Sequence, residues 1–304
     1  MLSRLNQGGV PRDSISRGPR DFATPVVIRC VRATCHNNKE GLVPNTVPVA
    51  STETDWREFR ARLVASSRAG SSLSPFSPQD SVLEPGHQQA SLPLNGLWAH
   101  SIPGPEKGCL LLAHPLMFNS RQEYFFQSVI LLLEHNDKGS FGVILNRPSV
   151  YTLSQLQLTH PLPEFADCKL YVGGDVGDGG VHLLHSHADL EGSTEVVRGV
   201  NLGGIQAAQQ AVAQGKAKAG DFRFYAKYSG WGAGQLAREC RAGVWFTAAA
   251  SPAVILSEPD ANGECDTWHR VLSLMGGDYS ELSMNVRASE RSRKQSGRSE
   301  EPAS

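Results

Sequence analysis

The chain has 304 residues, of which 40% are hydrophobic and 19% charged. This composition is too apolar for a disordered chain, and the longest apolar run, around Val129–Leu133, is far too short for a membrane-spanning helix. The formal net charge is −1, but residues 1–40 carry seven basic and three acidic side chains, so the remainder is acidic and disfavours binding to nucleic acid.

The first 50 residues have the composition of an organelle-targeting segment. They contain six arginines, several serines and threonines and few acidic residues, and they lack the apolar core of a secretory signal. We therefore predict a transit peptide over residues 1–50, for import into a plastid or a mitochondrion, with a disordered regulatory tail as the alternative. Cys30 and Cys35 would be removed with this peptide.

Residues 51–91 are predicted to hold a short helix and a linker. The stretch Thr54–Ser67 has helical periodicity. Its apolar side chains share one side of the helix: Trp56, Phe59, Leu63 and Val64. The stretch 69–89 is rich in Ser, Pro, Gly and Gln, which is typical of a flexible linker. The packed domain is therefore expected to begin near Leu92.

A packed domain is predicted over residues 92–286, where strand-like and helix-like segments alternate. Apolar runs bounded by Gly, Asn, Asp and Pro predict strands at Cys109–Ala113, Ser128–Glu134, Phe141–Asn146, Lys169–Val172, Val181–His185, Thr194–Val197, Phe222–Tyr228 and Val244–Thr247. The first three are apolar nearly throughout, as strands buried on both faces are. Helices are predicted at Gly204–Ala213, Gln235–Cys240 and Asp266–Met275. Residues 287–304, from Arg287 onward, have almost no apolar side chains and are expected to be disordered.

Four segments in the middle of the chain form a set. They are Glu134–Asn136 with Phe141–Pro148, then Tyr171–Val176, Val181–His185 and Tyr228–Leu236. In this order they resemble the AlgH/YqgE family of bacterial and plastid proteins. The Asn-Arg-Pro triplet at 146–148 and the Gly-Trp-x-x-Gly-Gln-Leu segment at 230–236 are the most specific. The resemblance covers about half of the chain, from Gly108 to Leu256.

Three flanking segments are similar to the plant and algal plastid branch of that family: Asp55–Arg60, Trp98–His100 and Leu274–Ser283. This similarity implies a location in the chloroplast stroma, with the mitochondrion as the alternative. The chain departs from the family at three positions, since Asp175 and Ala233 stand where the family usually has proline and Ala237 where it usually has glutamate.

The resemblance also implies a fold and a functional label. The fold is α+β, with a mixed, mostly antiparallel, partly barrel-like sheet and helices packed around it. No reaction is established for the family, and its common label is transcriptional regulator. This sequence has no helix-turn-helix, zinc-finger or basic-heptad signature that would support DNA binding.

The strand end at 146–148 is the first candidate site. Pro148 stops the strand and biases Arg147 towards an extended conformation, which directs its guanidinium to one side. A guanidinium suits a carboxylate or phosphate of a ligand. The alternative is a structural role, in which Arg147 pairs with an internal carboxylate such as Glu134.

The segment Tyr228–Gln235 and His185 are the other candidates. Three glycines in the segment connect a strand to a helix, whose N-terminal N–H groups suit an anion. The alternative is a tight loop with Trp231 filling the core, and no nucleotide fingerprint is matched. On a strand, His185 shares a face with His187, but two ligands do not make a zinc site. His185 is interpreted as a hydrogen-bonded strand-end histidine or as a ligand contact.

The sequence carries no recognised catalytic arrangement. It lacks the Gly-x-Ser-x-Gly nucleophile elbow, and its six widely spaced cysteines form no Cys-x-x-Cys pair. We therefore predict no catalytic residue, no cofactor, no metal site and no disulfide framework, and we leave enzymatic activity open.

The leading hypothesis is a binding protein with a shallow anion-recognising site for a small anionic ligand. Its candidate residues are Asn146, Arg147, His185, Ser229, Gly230, Trp231, Gly232, Gly234 and Gln235. The alternative is a protein–protein interaction or regulatory factor without a small-molecule ligand. Its partner surface would be the helix with Trp56 or the tail after Met275.

Overall fold

The part of the chain that the structure describes contains helices and strands in similar proportions. This computed structural model describes residues 55–70, 96–118, 123–156, 160–258 and 266–298. The predicted transit peptide and most of the predicted linker lie outside these ranges, so both stay predictions.

The strands, in chain order, are β1 (Ala99–Ser101), β2 (Leu110–Ala113), β3 (Val129–Asn136), β4 (Gly139–Ile144), β5 (Pro148–Thr152), β6 (Lys169–Val172), β7 (Val176–His185), β8 (Ser193–Val197), β9 (Val200–Gly203), β10 (Phe222–Gly232) and β11 (Trp245–Ala250). The helices are α1 (Trp56–Gly70), α2 (Ile205–Ala213), α3 (Gln235–Arg241), α4 (Pro252–Ile255), α5 (Thr267–Met275) and α6 (Gly277–Arg298). Each strand and helix predicted from the sequence overlaps one of these elements. The sequence patterns do not predict β1, β5, β9 and α4, which are all short.

Strand β10 connects the two halves of the sheet. Its first half pairs in parallel with β6 and antiparallel with β7, and its second half pairs antiparallel with β4. The order is β1-β11-β2-β3-β4-β10 on one side and β5-β6-β10-β7-β9-β8 on the other. The sheet is mixed, mostly antiparallel and curled into half a barrel, with helices around it, which confirms the α+β fold that the resemblance implies.

A glycine pair lies where β4, β6 and β10 meet. The N–H of Gly173 donates to the carbonyl of Ala226 at 2.7 Å, and the N–H of Ile144 donates to the carbonyl of Gly173 at 2.8 Å. A Cβ on Gly174 would lie 1.8 Å from the carbonyl carbon of Tyr228, so only glycine permits this approach of the two backbones. We call this junction, which comprises residues 144–147, 173–174 and 226–229, the seam.

The apolar strands are buried on both faces, as predicted. Alternate residues of β3 enter different cores, with Leu131 and Leu133 in one and Ile130 and Leu132 in the other. The first core is covered by Trp268 of α5, which is almost completely buried. A strand with two buried faces has no polar alternation, which explains its unbroken run of apolar residues.

Helix α6 takes the place of the disorder predicted for the tail. The helix continues to Arg298, so the prediction of disorder from Arg287 is wrong as far as that residue. Residues 287–298 contain no proline and are rich in helix-forming side chains. Contacts with the domain also anchor the helix, because Arg287 forms an ion pair with Asp266 and Glu290 accepts a hydrogen bond from Gln127 at 2.6 Å.

Candidate functional site

Asn146 holds a backbone turn in place. Its Oδ1 accepts a hydrogen bond from the N–H of Val129 at 2.9 Å, and its Nδ2 donates to the carbonyl of Gln127 at 2.8 Å. Gln127 has a φ of 53°, a left-handed conformation that is strained for a residue with a side chain. The side chain of Asn146 thus stabilises a strained turn next to the seam.

Arg147 is directed at the same turn and donates hydrogen bonds to its backbone. Its Nε donates to the carbonyl of Tyr124 at 3.3 Å, and its Nη2 donates to the carbonyl of Phe126. Its Nη1 donates to the carbonyl of Asn146 at 3.1 Å. These contacts fit the alternative interpretation, in which Arg147 has a structural role. Glu134 is not its partner, because Glu134 is exposed and accepts a hydrogen bond from Asn136.

The loop after β10 is organised by a carboxylate that the sequence reading missed. Glu239 accepts hydrogen bonds from the indole N–H of Trp231 at 2.9 Å and from that of Trp245 at 2.8 Å. The amide of Gln235 donates to the same carboxylate at 2.9 Å, and its Oε1 accepts the N–H of Gly232 at 3.1 Å. Trp231 is buried in the core, as the structural alternative predicts. The available signal was an acidic residue one helical turn after Gln235.

The remaining loop residues have backbone roles. Ser229 is buried and donates a hydrogen bond to the carbonyl of Gly173 at 3.3 Å, which places it in the seam. Gly234 begins α3 with a φ of 66°, a conformation that favours glycine. Gly230 and Gly232 lie exposed at the end of β10, where β4 pairs with them.

His185 is completely buried in the structure. Its Nε2 lies 3.1 Å from the carbonyl of Gly203, and its Nδ1 has no hydrogen-bond partner among the described residues. Burial lowers the pKa of His185, so the ring is neutral at neutral pH. His187 instead approaches the carboxylate of Asp221 at 3.3 Å. His185 therefore matches the hydrogen-bonded strand-end histidine of the sequence reading.

The register separates the three candidate groups. In the β4–β10 pair, Gly232 lies opposite Gly139, at the far end of β4 from Asn146. In the β7–β10 pair, His185 lies opposite Phe222, at the other end of β10. With a rise of about 3.3 Å per residue, the two ends of β10 are roughly 30 Å apart along the strand. Arg147, His185 and the glycine loop therefore do not form a common site.

A cleft opens instead where β6 and β10 begin. It has a volume of about 370 Å³ and is lined by Pro163, Glu164, Ala166, Asp167, Cys168, Lys169, Tyr171, Ala219, Gly220, Phe222, Arg223 and Glu258. Arg223 is buried, its Nη1 donates to the carbonyl of Ser257, and its Nη2 is 4.0 Å from an oxygen of Glu258. We call this feature the cleft. Sequence reasoning missed it, although an arginine between Phe222 and Phe224 in a buried strand was a visible signal.

Helix α1 places its apolar side in solvent. Trp56, Phe59 and Leu63 share one side of the helix, as predicted, and expose 48%, 54% and 52% of their surfaces. The opposite side faces the domain, where Ala61 is buried and Arg57 forms an ion pair with the loop before β2. We call these three exposed side chains the α1 stripe.

The cysteines in the described ranges are thiols at neutral pH. Burial raises the pKa of Cys109 to about 12 and that of Cys240 to about 11. Burial also raises the pKa of Cys168. A reactive cysteine needs a lowered pKa, so none of these three has the environment of a nucleophile.

The described residues contain neither a candidate metal cluster nor a membrane-spanning helix. They contain no group of three or more His, Cys, Asp or Glu side chains placed to hold a metal ion. Among the helices of the same ranges, none is long and apolar enough to cross a membrane.

The strand β10 that both halves share and the curled sheet define an α+β domain. A sequence model of the AlgH-like family (DUF179) matches residues 110–280, which is more than half of the chain. The chain belongs to the AlgH-like family, which confirms the resemblance read from the four segments.

Two relatives and two solved structures are similar to this chain over a little more than half of its length. The UPF0301 protein of Chlorobium chlorochromatii is 37% identical over 174 residues, covering 57% of this chain and 87% of the relative. The UPF0301 protein of Chlamydia caviae is 36% identical over 179 residues, covering 59% and 90%. The solution structure of the AlgH protein from Pseudomonas aeruginosa has a TM-score of 0.46 at 26% identity, covering 60% of this chain and 96% of that one. The crystal structure of a Corynebacterium diphtheriae protein has a TM-score of 0.49 at 25% identity, covering 60% and 93%. The function of the family is uncharacterised.

Proposed function

We propose that this AlgH-like protein binds another protein through the α1 stripe. The observation that supports the proposal is the orientation of α1. An amphipathic helix on a domain ordinarily buries its apolar side, whereas α1 faces the domain with Ala61 and Arg57 and turns the stripe outward. An exposed apolar patch of this kind is typical of an interaction surface.

The stripe fits an apolar groove on a partner protein. Three half-exposed side chains offer on the order of 300 Å² of apolar surface, well below the roughly 800 Å² per partner of a stable interface. A flat contact between two copies of the chain would therefore be weak, whereas insertion into a groove surrounds the helix with contacts. Arg60 is exposed next to the stripe and has no ion pair within the described ranges, which favours a groove with an acidic rim.

The experiment compares three forms of the full chain in affinity capture from an extract of the source cells. The test variant carries Phe59→Glu with Leu63→Glu, because glutamate keeps the helix but makes insertion into an apolar groove unfavourable. The matched control is Val150→Glu, since Val150 is 89% exposed on β5. The captured protein is then purified and titrated against each form by calorimetry.

We expect the control to keep the affinity of the original chain and the test variant to lose about tenfold or more. Equal binding by all three forms would contradict the proposal. Self-association that the test variant abolishes would identify a second copy as the occupant. Flotation with anionic lipid vesicles that the same variant abolishes would identify a membrane surface, and either result would overturn the assignment to a partner protein.

Recognition of a small anion at Asn146, Arg147, His185 and the 229–235 loop stays a prediction. It has less support than partner binding, because the donors of Arg147 already bind backbone carbonyls and the register separates the groups. A thermal-shift screen against nucleotides, phosphates and carboxylates tests it, since a ligand at a hundred times its Kd adds about 2.7 kcal/mol of stability. A flat screen on a cooperatively folding protein would speak against this site.

Import into the chloroplast stroma also remains a proposal, with the mitochondrion as the alternative. It is supported by the arginine-rich, acid-poor composition of residues 1–50. Residues 1–50 fused to a fluorescent protein should accumulate in the organelle and be cleaved there. Uncleaved fusion protein in the cytosol would contradict the proposal.

A further inference from the structure

Arg223 carries a buried charge that the protein compensates only in part. Its side chain is 8% exposed. One nitrogen, Nη1, donates to the carbonyl of Ser257, while Nη2 lies 4.0 Å from Glu258, whose side chain is 75% exposed. A guanidinium has five N–H donors, and a buried charge without a matched anion is unfavourable. Among the described residues, the other N–H donors of Arg223 have no hydrogen-bond partner, and they remain open on the side of the cleft.

The cleft gives those donors a place to bind a ligand. Arg223 is one of its lining residues, and the volume of about 370 Å³ lies at the small end of the range for small-molecule sites. The parallel pairing of β6 with β10 positions Arg223 beside Lys169, so rigid strands hold the polar floor.

The charges around the cleft restrict the kind of ligand. Two basic side chains, Arg223 and Lys169, face three carboxylates, those of Glu164, Asp167 and Glu258. A phosphate dianion in the cleft would be repelled by the three carboxylates that line it. A molecule with one carboxylate and one ammonium group complements both sets of charges.

We propose that the cleft binds a small zwitterionic carboxylate of the amino-acid class. The carboxylate of the ligand binds the open N–H donors of Arg223, a pairing for which the planar guanidinium is suited. The ammonium group binds at the acidic side, where Asp167 and Glu258 supply acceptors. Glu164 contributes less, because it already accepts a hydrogen bond from Gln209 at 2.8 Å. This site is independent of the α1 stripe.

The test titrates the full chain with matched pairs of probes by calorimetry. Alanine, valine and phenylalanine are each compared with the same carboxylate lacking the amino group, and inorganic phosphate is the third arm. We expect at least one amino acid to bind about tenfold more tightly than its partner without the amino group, and phosphate to bind most weakly. Arg223→Gln should abolish binding of all probes, while Arg241→Gln, an exposed position on α3, should leave it unchanged.

A second variant keeps the test decisive if Arg223→Gln does not fold. In the Asp167→Asn, Glu258→Gln double variant, the ratio between each amino acid and its partner should fall to about one. The ratio is informative because removal of Glu258 affects the carboxylate end of both probes equally. Equal binding of both probes by the original chain, tighter binding of phosphate, or no binding of any probe would overturn the proposal.

Discussion

The seam contains the half-buried Arg147 and the cleft contains the buried Arg223, and the two arginines differ in how many of their N–H donors the protein itself satisfies. In the seam, Arg147 donates from three nitrogen atoms to backbone carbonyls. In the cleft, Arg223 donates to one carbonyl and approaches an exposed glutamate. Donors bound to the protein stabilise it, whereas open donors favour a ligand. The number of N–H donors that have no protein partner therefore distinguishes an arginine with a structural role from one that binds a ligand. The sequence motif around the arginine is less informative.

The glycines of the two regions differ in the same way. A Cβ on Gly174 would overlap the backbone of Tyr228, whereas a Cβ on Gly220 in the cleft meets nothing within 4 Å. At the seam the backbones of neighbouring strands approach too closely for a side chain at Gly174, whereas Gly220 in the cleft has open space beside it. This contrast predicts that substitutions in the seam act on folding and that those in the cleft act on binding.

The largest effect is expected for Gly174→Ala. The added methyl group would lie 1.8 Å from a backbone carbon that cannot move without breaking strand pairing. We expect a loss of more than about 4 kcal/mol in the free energy of unfolding, or no folding at all. Gly220→Ala is the control, and it should lie within about 1 kcal/mol of the original chain. Urea unfolding followed by circular dichroism measures both, and a mild effect of Gly174→Ala would break the comparison.

The next effect is expected for Arg147→Met. Methionine keeps much of the volume but leaves the carbonyls of Tyr124 and Phe126 without their charged donor. Hydrogen bonds to charged groups contribute about 1.5 to 3 kcal/mol each and are not additive, so we expect a loss of about 3 kcal/mol. Urea unfolding at pH 7 measures it, with exposed Arg241→Met as the control. A loss below about 1 kcal/mol would reopen a ligand-binding role for Arg147.

The sequence predicts where the strands and helices lie along the chain better than it predicts which strands pair with each other. Apolar runs predict β2, β3 and β4, because burial on both faces requires such runs. No local sequence pattern indicates that both halves of the sheet share β10. This pairing separates Gly232 from His185 by the length of a strand. The candidate residues therefore lie far apart in the fold, because their positions depend on the register of strand pairing, and register is set by contacts between distant parts of the sequence.

The missed residues share a physical cause. Glu239 and Arg223 each have a local sequence signal, but their roles follow from contacts that the fold makes, with Trp245 for Glu239 and with Ser257 for Arg223. Helix α6 has a weak apolar period, and its contacts with Asp266 and Gln127 stabilise it. Contacts between segments far apart in the sequence, such as those of Arg223 with Ser257 and of Glu290 with Gln127, are not predicted by local patterns.

His185 shares one property with each region. It is buried, as the seam is, and one of its ring nitrogens has no hydrogen-bond partner among the described residues, like the open donors of Arg223 in the cleft. Burial lowers its pKa in the folded protein, so the unfolded chain binds a proton at higher pH than the folded one. Stability is therefore complete above about pH 6.5 and falls as the pH decreases below that value, by up to about 1.4 kcal/mol per pH unit for each such group. Burial also lowers the pKa of His269, which contributes in the same direction.

Urea unfolding at pH 7.5, 6.5 and 5.5 measures this dependence. His185→Gln should reduce the slope and leave the part due to His269, whereas His160→Gln, at an exposed position, should leave the slope unchanged. A slope that does not change in His185→Gln would show that the protein accommodates the imidazolium at this position. In that case His185 would resemble Arg223 of the cleft more than the residues of the seam.

The smallest effect on stability is expected for Arg223→Met, and it is the sharpest test of the contrast between the two regions. Replacement of a poorly compensated buried charge by an apolar side chain of similar length is often neutral or stabilising. We therefore expect the free energy of unfolding to stay within about 1 kcal/mol of the original chain, although Arg223 is the more buried of the two arginines. Urea unfolding of Arg223→Met and Arg147→Met side by side measures the difference. A loss of about 3 kcal/mol or more in Arg223→Met would show that stability depends on the contacts already present with Ser257 and Glu258. Arg223 would then have a structural role, and the reason for a ligand in the cleft would be removed.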